Sequence, residues 1–161
     1  KIYENIKYVN YHLCKFPYGI NDNERYKLDN LPYHFTIFAT NKENETKLLK
    51  IANKIKITKI NLKINEIKVM NGKNNSYVLY FGIENNKYMK KLQKLFYEEF
   101  HEEKYNPNTF LFHMTLHIDK NKNTIYKLLD KLKENFTPFY LEFNELALFD
   151  YPGNIITTIK I

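Results

Sequence analysis

A chain that repeats one pattern at a fixed offset is constrained to build one supersecondary unit twice, and here the offset is 79 residues. Pro32-Tyr33-His34-Phe35-Thr36-Ile37-Phe38 returns as Leu111-Phe112-His113-Met114-Thr115-Leu116-His117, with a His-x-Thr core in both. Leu62-Lys63-Ile64-Asn65-Glu66-Ile67-Lys68-Val69 returns at the same offset as Leu141-Glu142-Phe143-Asn144-Glu145-Leu146-Ala147-Leu148. An internal duplication is the simplest origin of two matches in one register.

The apolar, β-branched and aromatic setting of each His-x-Thr run predicts a strand. In a strand, residues two apart share a face, so His34 projects with Thr36 and His113 with Thr115, while Phe35 and Met114 turn to the core. In the second repeated segment the apolar alternation changes parity after Ile64 and after Phe143. A bulge near each Asn-Glu pair would produce that change.

The remaining elements follow the same order in both halves. Tyr8 to Phe16 reads as a first strand, and Gly19 to Asn30 as a polar loop. After the first motif, Lys42 to Ile55 sets Leu48, Leu49, Ala52 and Ile55 on one helical face. Lys59 to Met70 then reads as a strand joined through Asn71-Gly72 to Tyr77–Ile83. In the second half, Asn86 to Phe100 is helical with Met89, Leu92, Phe96 and Phe100 on one side, and it leads to the second motif. Lys122 to Phe136 is helical, Phe139 to Phe149 extended, and Pro152-Gly153-Asn154 turns into a strand from Ile155 to Ile161. Each half is thus a His-x-Thr strand, a helix and a hairpin. The expected fold is α+β, a single domain over residues 1–161 whose two similar lobes close on one shared core.

That core is affordable, because 161 residues with 43% hydrophobic content suit one globular domain. Arg25 is the sole arginine among 25 basic residues, set against 18 acidic ones, for a formal charge of +7. Such a balance suits a polyanionic partner such as RNA or an oligonucleotide, and an AT-rich genome would also enrich Lys and Asn. The single cysteine, Cys14, excludes an intramolecular disulfide and fits a reducing, cytoplasmic compartment. No run is long and apolar enough for a membrane span, so no membrane partner is expected, and the expected state is a monomer.

If the halves pack about a pseudo-two-fold axis, His34 and His113 face each other across one cleft. Paired imidazoles suit in-line cleavage of a phosphodiester. One neutral His takes a proton from the attacking oxygen, the other donates to the leaving oxygen, and an unperturbed pKa near 6.5 makes both forms available. Thr36 and Thr115 can donate hydrogen bonds to the non-bridging phosphoryl oxygens. No metal or other cofactor is required. A zinc site at His113 and His117 is disfavoured, because four residues of strand span roughly 13 Å. His117 shares the strand face of His113 on this reading and is either a structural residue or the far end of the cleft. No phosphate-cradling glycine motif is present. Arg25, Lys15, Lys73 and Lys104 are candidate phosphate contacts, and Tyr11, Tyr33 and Tyr151 candidate base-stacking residues.

At this point the chain resembles the 2H phosphoesterase superfamily, which includes the 2′-5′ RNA ligase-like proteins and carries two His-x-Thr/Ser motifs in a duplicated α+β fold. The resemblance implies antiparallel sheets around a central cleft with helices outside. It implies His34 and His113 as the acid/base pair, with Thr36 and Thr115 binding phosphate. Related RNA ligase-like enzymes often carry an Arg after the second motif, where Ile118 stands here. The implied substrates are RNA ends with a 2′,3′-cyclic phosphate, 2′-5′ linked oligonucleotides, or cyclic oligonucleotide signals. A non-catalytic nucleotide-binding module is the alternative of a different class.

Overall fold

The computed structural model describes residues 34–56, 60–84, 86–143, 145–149 and 155–160. The expected first strand at Tyr8 to Phe16 and the polar loop at Gly19 to Asn30 lie outside the described residues. Three α-helices and six β-strands occur among those that are described. In chain order they are α1 (Glu45–Ala52), β1 (Ile60–Asn71), β2 (Tyr77–Ile83), α2 (Lys87–Phe100), β3 (His113–Asp119), α3 (Lys122–Lys133), β4 (Phe139–Phe143), β5 (Glu145–Phe149) and β6 (Ile155–Lys160). The fold is α+β, with an antiparallel four-stranded sheet in the order β3-β2-β1-β4 and a β5-β6 pair.

The chain divides into two compact units. The first takes residues 34–35, 64–82 and 113–139 of the described chain, hence the later part of β1, most of β2, β3 and α3. Its inner layer is Ile64, Ile67, Leu79, Phe81, Met114, Leu116, Ile125, Leu128 and Leu129, all buried. Phe81 stands edge-on to Phe139 at 5.6 Å and stacks on Phe136 at 6.0 Å. Removing each such side chain from water contributes about 1.5–3 kcal/mol. β1 reaches β2 through Asn74 and Asn75, both in the left-handed region at φ 54° and 59°. That conformation suits asparagine, whose short polar side chain tolerates it. Asp119 ends β3 by accepting from the Asn121 N–H at 2.8 Å, and Asn121 in turn caps α3 by accepting from the Thr124 N–H at 3.2 Å.

The second unit takes residues 36–63, 83–112 and 140–161, of which the described ones hold α1, α2, the start of β1, most of β4, and the β5-β6 pair. α2 starts where Asn86 accepts from the N–H groups of Tyr88 and Met89, and it buries Met89, Leu92, Gln93 and Phe96. The apolar periodicity anticipated three of these four.

Four expectations are corrected. Residues 34–40 form no strand. Within this segment the Ile37 carbonyl accepts from the Gln93 side-chain amide at 3.0 Å and the Ala39 N–H bonds the Tyr105 hydroxyl. In the first helix a 3₁₀ turn covers Lys42–Asn44, and Ile51 rather than Leu48 or Leu49 is the buried residue. Within the stretch expected as one strand from Phe139 to Phe149, β4 joins the four-stranded sheet while β5 pairs with β6. β3 carries an extra residue, with Leu79 opposite His117 and Tyr80 opposite Thr115, which leaves Leu116 as the bulge. The parity change in β1 does occur between Ile64 and Ile67, the buried positions on either side of Asn65-Glu66.

Candidate active site

β3 alternates cleanly over its first four residues. Met114 and Leu116 are buried on the inner side, while His113 and Thr115 are half-buried on the other. The pairing places Gly82 of β2 opposite His113 and Tyr80 opposite Thr115, so these four residues occupy one face of the first unit. The Tyr80 ring meets the His113 ring edge-on at 5.7 Å and 73°. Such a T-shaped contact limits the rotation of both rings.

Gly82 leaves room that a side chain would fill. A Cβ there would lie 2.6 Å from both Cγ and Oε1 of Glu66. The Glu66 carboxylate of β1 therefore rests over the strand next to β3, level with the residue that pairs with His113. Its other oxygen accepts from the Lys68 ammonium at 2.7 Å. Burial and the Glu66 charge push the Tyr80 phenol above its ordinary pKa, with Lys68 pulling the other way.

Past the bulge the strand changes face. His117 and Asp119 are buried, with Nε2 and Oδ2 3.8 Å apart. His117 therefore leaves the face of His113, contrary to the simple alternation expected along the strand, and its structural role is the one the burial supports. Ile118, half-buried, stands opposite Val78.

The first motif is held differently. Phe38 packs against Phe96, Phe100 and Tyr105, with ring centroids 5.7, 4.8 and 4.7 Å away. Together with the Gln93 and Tyr105 hydrogen bonds, this cluster anchors the backbone directly after Thr36. His34 belongs to the unit that contains His113 and Thr115, while Thr36 is the first residue of the other unit. The shared-face argument from strand alternation thus stands on the second motif alone.

Tyr11, Tyr33, Tyr151, Arg25, Lys15 and Cys14 lie outside the described residues. Lys73 is exposed in the β1-β2 turn, and Lys104 is exposed with its ammonium 5.1 Å from the Tyr105 ring centroid. Glu66, Lys68, Tyr80 and Gly82 were not singled out from the sequence as site residues. The one signal in the sequence is the parity change at Asn65-Glu66, after which Glu66 lies on the face opposite the buried Ile67.

The face on β3 offers an imidazole, a hydroxyl donor two residues on, and a cation within the same three strands. Among the described residues no cluster of three or more His, Cys, Asp or Glu side chains has the arrangement of a metal site. Residues 15–154 match the family model described as 2'-5' RNA ligase superfamily. No curated protein matches the chain.

Proposed function

The chain belongs to the 2′-5′ RNA ligase superfamily, a group within the 2H phosphoesterases, and on that premise we propose that it is a metal-independent phosphodiesterase acting on a ribonucleotide phosphodiester. The family consists of phosphodiesterases and ligases that act on RNA, which supports an enzyme. The observation that carries the reading is the His-x-Thr pair repeated at an offset of 79 residues, the second copy with both side chains on one face of β3.

In the proposed reaction His34 and His113 share the proton transfers. For a 2′,3′-cyclic phosphate, one neutral imidazole removes a proton from water as its oxygen bonds to phosphorus. The other, protonated, gives its proton to the ribose oxygen as the P–O bond breaks, leaving a phosphomonoester and a free hydroxyl. For a 2′-5′ linkage the neighbouring 3′-hydroxyl replaces water as the nucleophile. Thr36 and Thr115 donate to the non-bridging oxygens, where charge is held in the transition state. The proposal includes the duplicated two-lobed architecture that would bring the motifs to a common cleft, and a cytoplasmic monomer, with the single cysteine as the support for the compartment.

The test is a substrate panel. A 2′,3′-cyclic-phosphate RNA end, a 2′-5′ linked oligonucleotide, a cyclic 3′-5′ oligonucleotide and a DNA phosphodiester are each incubated with the protein, with and without a chelator. Turnover is expected for ribose-containing members, led by the first two, and is expected to survive chelation. Efficient cleavage of DNA, or full loss with EDTA restored by zinc, would overturn the proposal; tight binding with no turnover would favour a binding module.

A further inference from the structure

His113 and Thr115 supply a proton-transfer group and a neutral donor, but a phosphodiester also carries a full negative charge. Among the described residues, the same face of the first unit carries Lys68, a basic side chain fixed by an ion pair. Its ammonium is 2.7 Å from Glu66 Oε2, and the two side chains are 56% and 33% exposed. An ammonium has three N–H donors and this contact uses one, so two remain for a ligand.

The fixation is built into the sheet. Glu66 can lie across β2 because residue 82 has no side chain, and residue 82 is the register partner of His113. Tyr80, 4% exposed, fills the floor between Lys68 and Thr115, its ring against His113 and its phenol within the electrostatic reach of both Glu66 and Lys68. Strands lie about 4.8 Å apart, so Lys68 on β1 and Thr115 on β3 flank Tyr80 with roughly two strand spacings between their backbones. A flexible lysine held by a neighbouring carboxylate loses less freedom on binding than a solvated one.

We propose that Lys68, held in place by Glu66, is a substrate-binding residue whose ammonium takes a non-bridging phosphate oxygen on the His113–Thr115 face. The inference rests on the phosphodiesterase reading and adds to it the cation that neutralises the scissile phosphate. Glu66 acts through Lys68 as a positioning residue, and Gly82 is the gap that lets it do so.

The experiment is steady-state kinetics on a 2′-5′ linked diadenylate with the wild type, Lys68→Met, Lys68→Gln and Lys68→Arg, alongside thermal melts. Binding of the same diadenylate and of its uncharged methylphosphonate counterpart is measured on a His113→Ala background, with and without Lys68→Met. Loss of one charge-assisted hydrogen bond predicts a KM increase of about 10- to 100-fold in the Met and Gln variants, with kcat far less affected, recovery in Lys68→Arg, and unchanged melting. The binding loss should appear for the charged diadenylate and not for the methylphosphonate. Wild-type turnover combined with an unchanged KM in both neutral variants would overturn the inference and leave the phosphodiesterase reading standing. Absence of wild-type turnover across the substrate panel would overturn that reading and the inference with it.

Discussion

Gln93 is the residue through which the helix α2 core is expected to control the first His-x-Thr motif. It is fully buried on α2, and its amide nitrogen donates to the Ile37 carbonyl at 3.0 Å, one residue after Thr36. Gln93→Met keeps the volume and the helix propensity while deleting the donor. The lost bond costs about 0.5–1.5 kcal/mol, and the half-buried Ile37 carbonyl left without this partner adds at most about 1–3 kcal/mol. Part of this is offset, because Gln93 Oε1 has no hydrogen-bond partner among the described residues and its removal relieves a buried polar atom. A net destabilisation of about 1–2 kcal/mol is expected. In urea, with a slope of roughly 2 kcal/mol/M, the midpoint falls by about 0.5–1 M. The packing of Phe38 on Phe96, Phe100 and Tyr105 survives the change, so the fold persists while the backbone beside Thr36 loosens, and kcat/KM falls more than the folded fraction does. A variant as stable as the wild type and equally active would refute the idea that this bond holds the motif.

Two further outcomes follow from single contacts. Asn86→Ala removes the acceptor for the Tyr88 and Met89 N–H groups at the start of α2 and should cost about 1 kcal/mol in urea unfolding. Tyr80 is more acidic in the unfolded chain than in the fold, where burial and Glu66 favour the neutral phenol, so its stabilising contribution is complete below about pH 10 and is lost as pH rises through the native pKa. Tyr80→Phe should therefore flatten part of the fall in urea midpoint on the alkaline side, and an unchanged slope would contradict the burial of that hydroxyl.

Periodicity in the sequence located α2 through Met89, Leu92 and Phe96, and β2 to its observed ends at Tyr77 and Ile83, because one buried face per element leaves a regular trace. It also located the parity change at Asn65-Glu66. What it missed depends on partners distant in the chain. The segment at 34–40 looks like a strand locally, yet its Ile37 carbonyl and Ala39 N–H bond to Gln93 and Tyr105, partners more than fifty residues away in the chain. Alternation puts His117 on the face of His113 only for an unbroken ladder, whereas the bulge at Leu116 is set by pairing with β2. β4 and β5 belong to different sheets, a choice set by pairing partners rather than by the alternation within 139–149. Nothing local marks Gly82, whose missing side chain matters only because Glu66 lies over it. Of the four candidate residues, the shared face of His113 and Thr115 is legible from alternation, while the side-chain setting around them comes from neighbouring strands.

The central claim is that His34 and His113 divide the two proton transfers of phosphodiester cleavage. The most direct measurement is the pH dependence of kcat/KM for a 2′,3′-cyclic-phosphate or 2′-5′ linked substrate in the wild type, His34→Ala and His113→Ala. The wild type should give a bell-shaped profile, and each variant should lose about 10²- to 10⁴-fold and one limb of the bell while melting like the wild type. Full turnover in either folded variant, with the bell intact, would contradict the paired-histidine account.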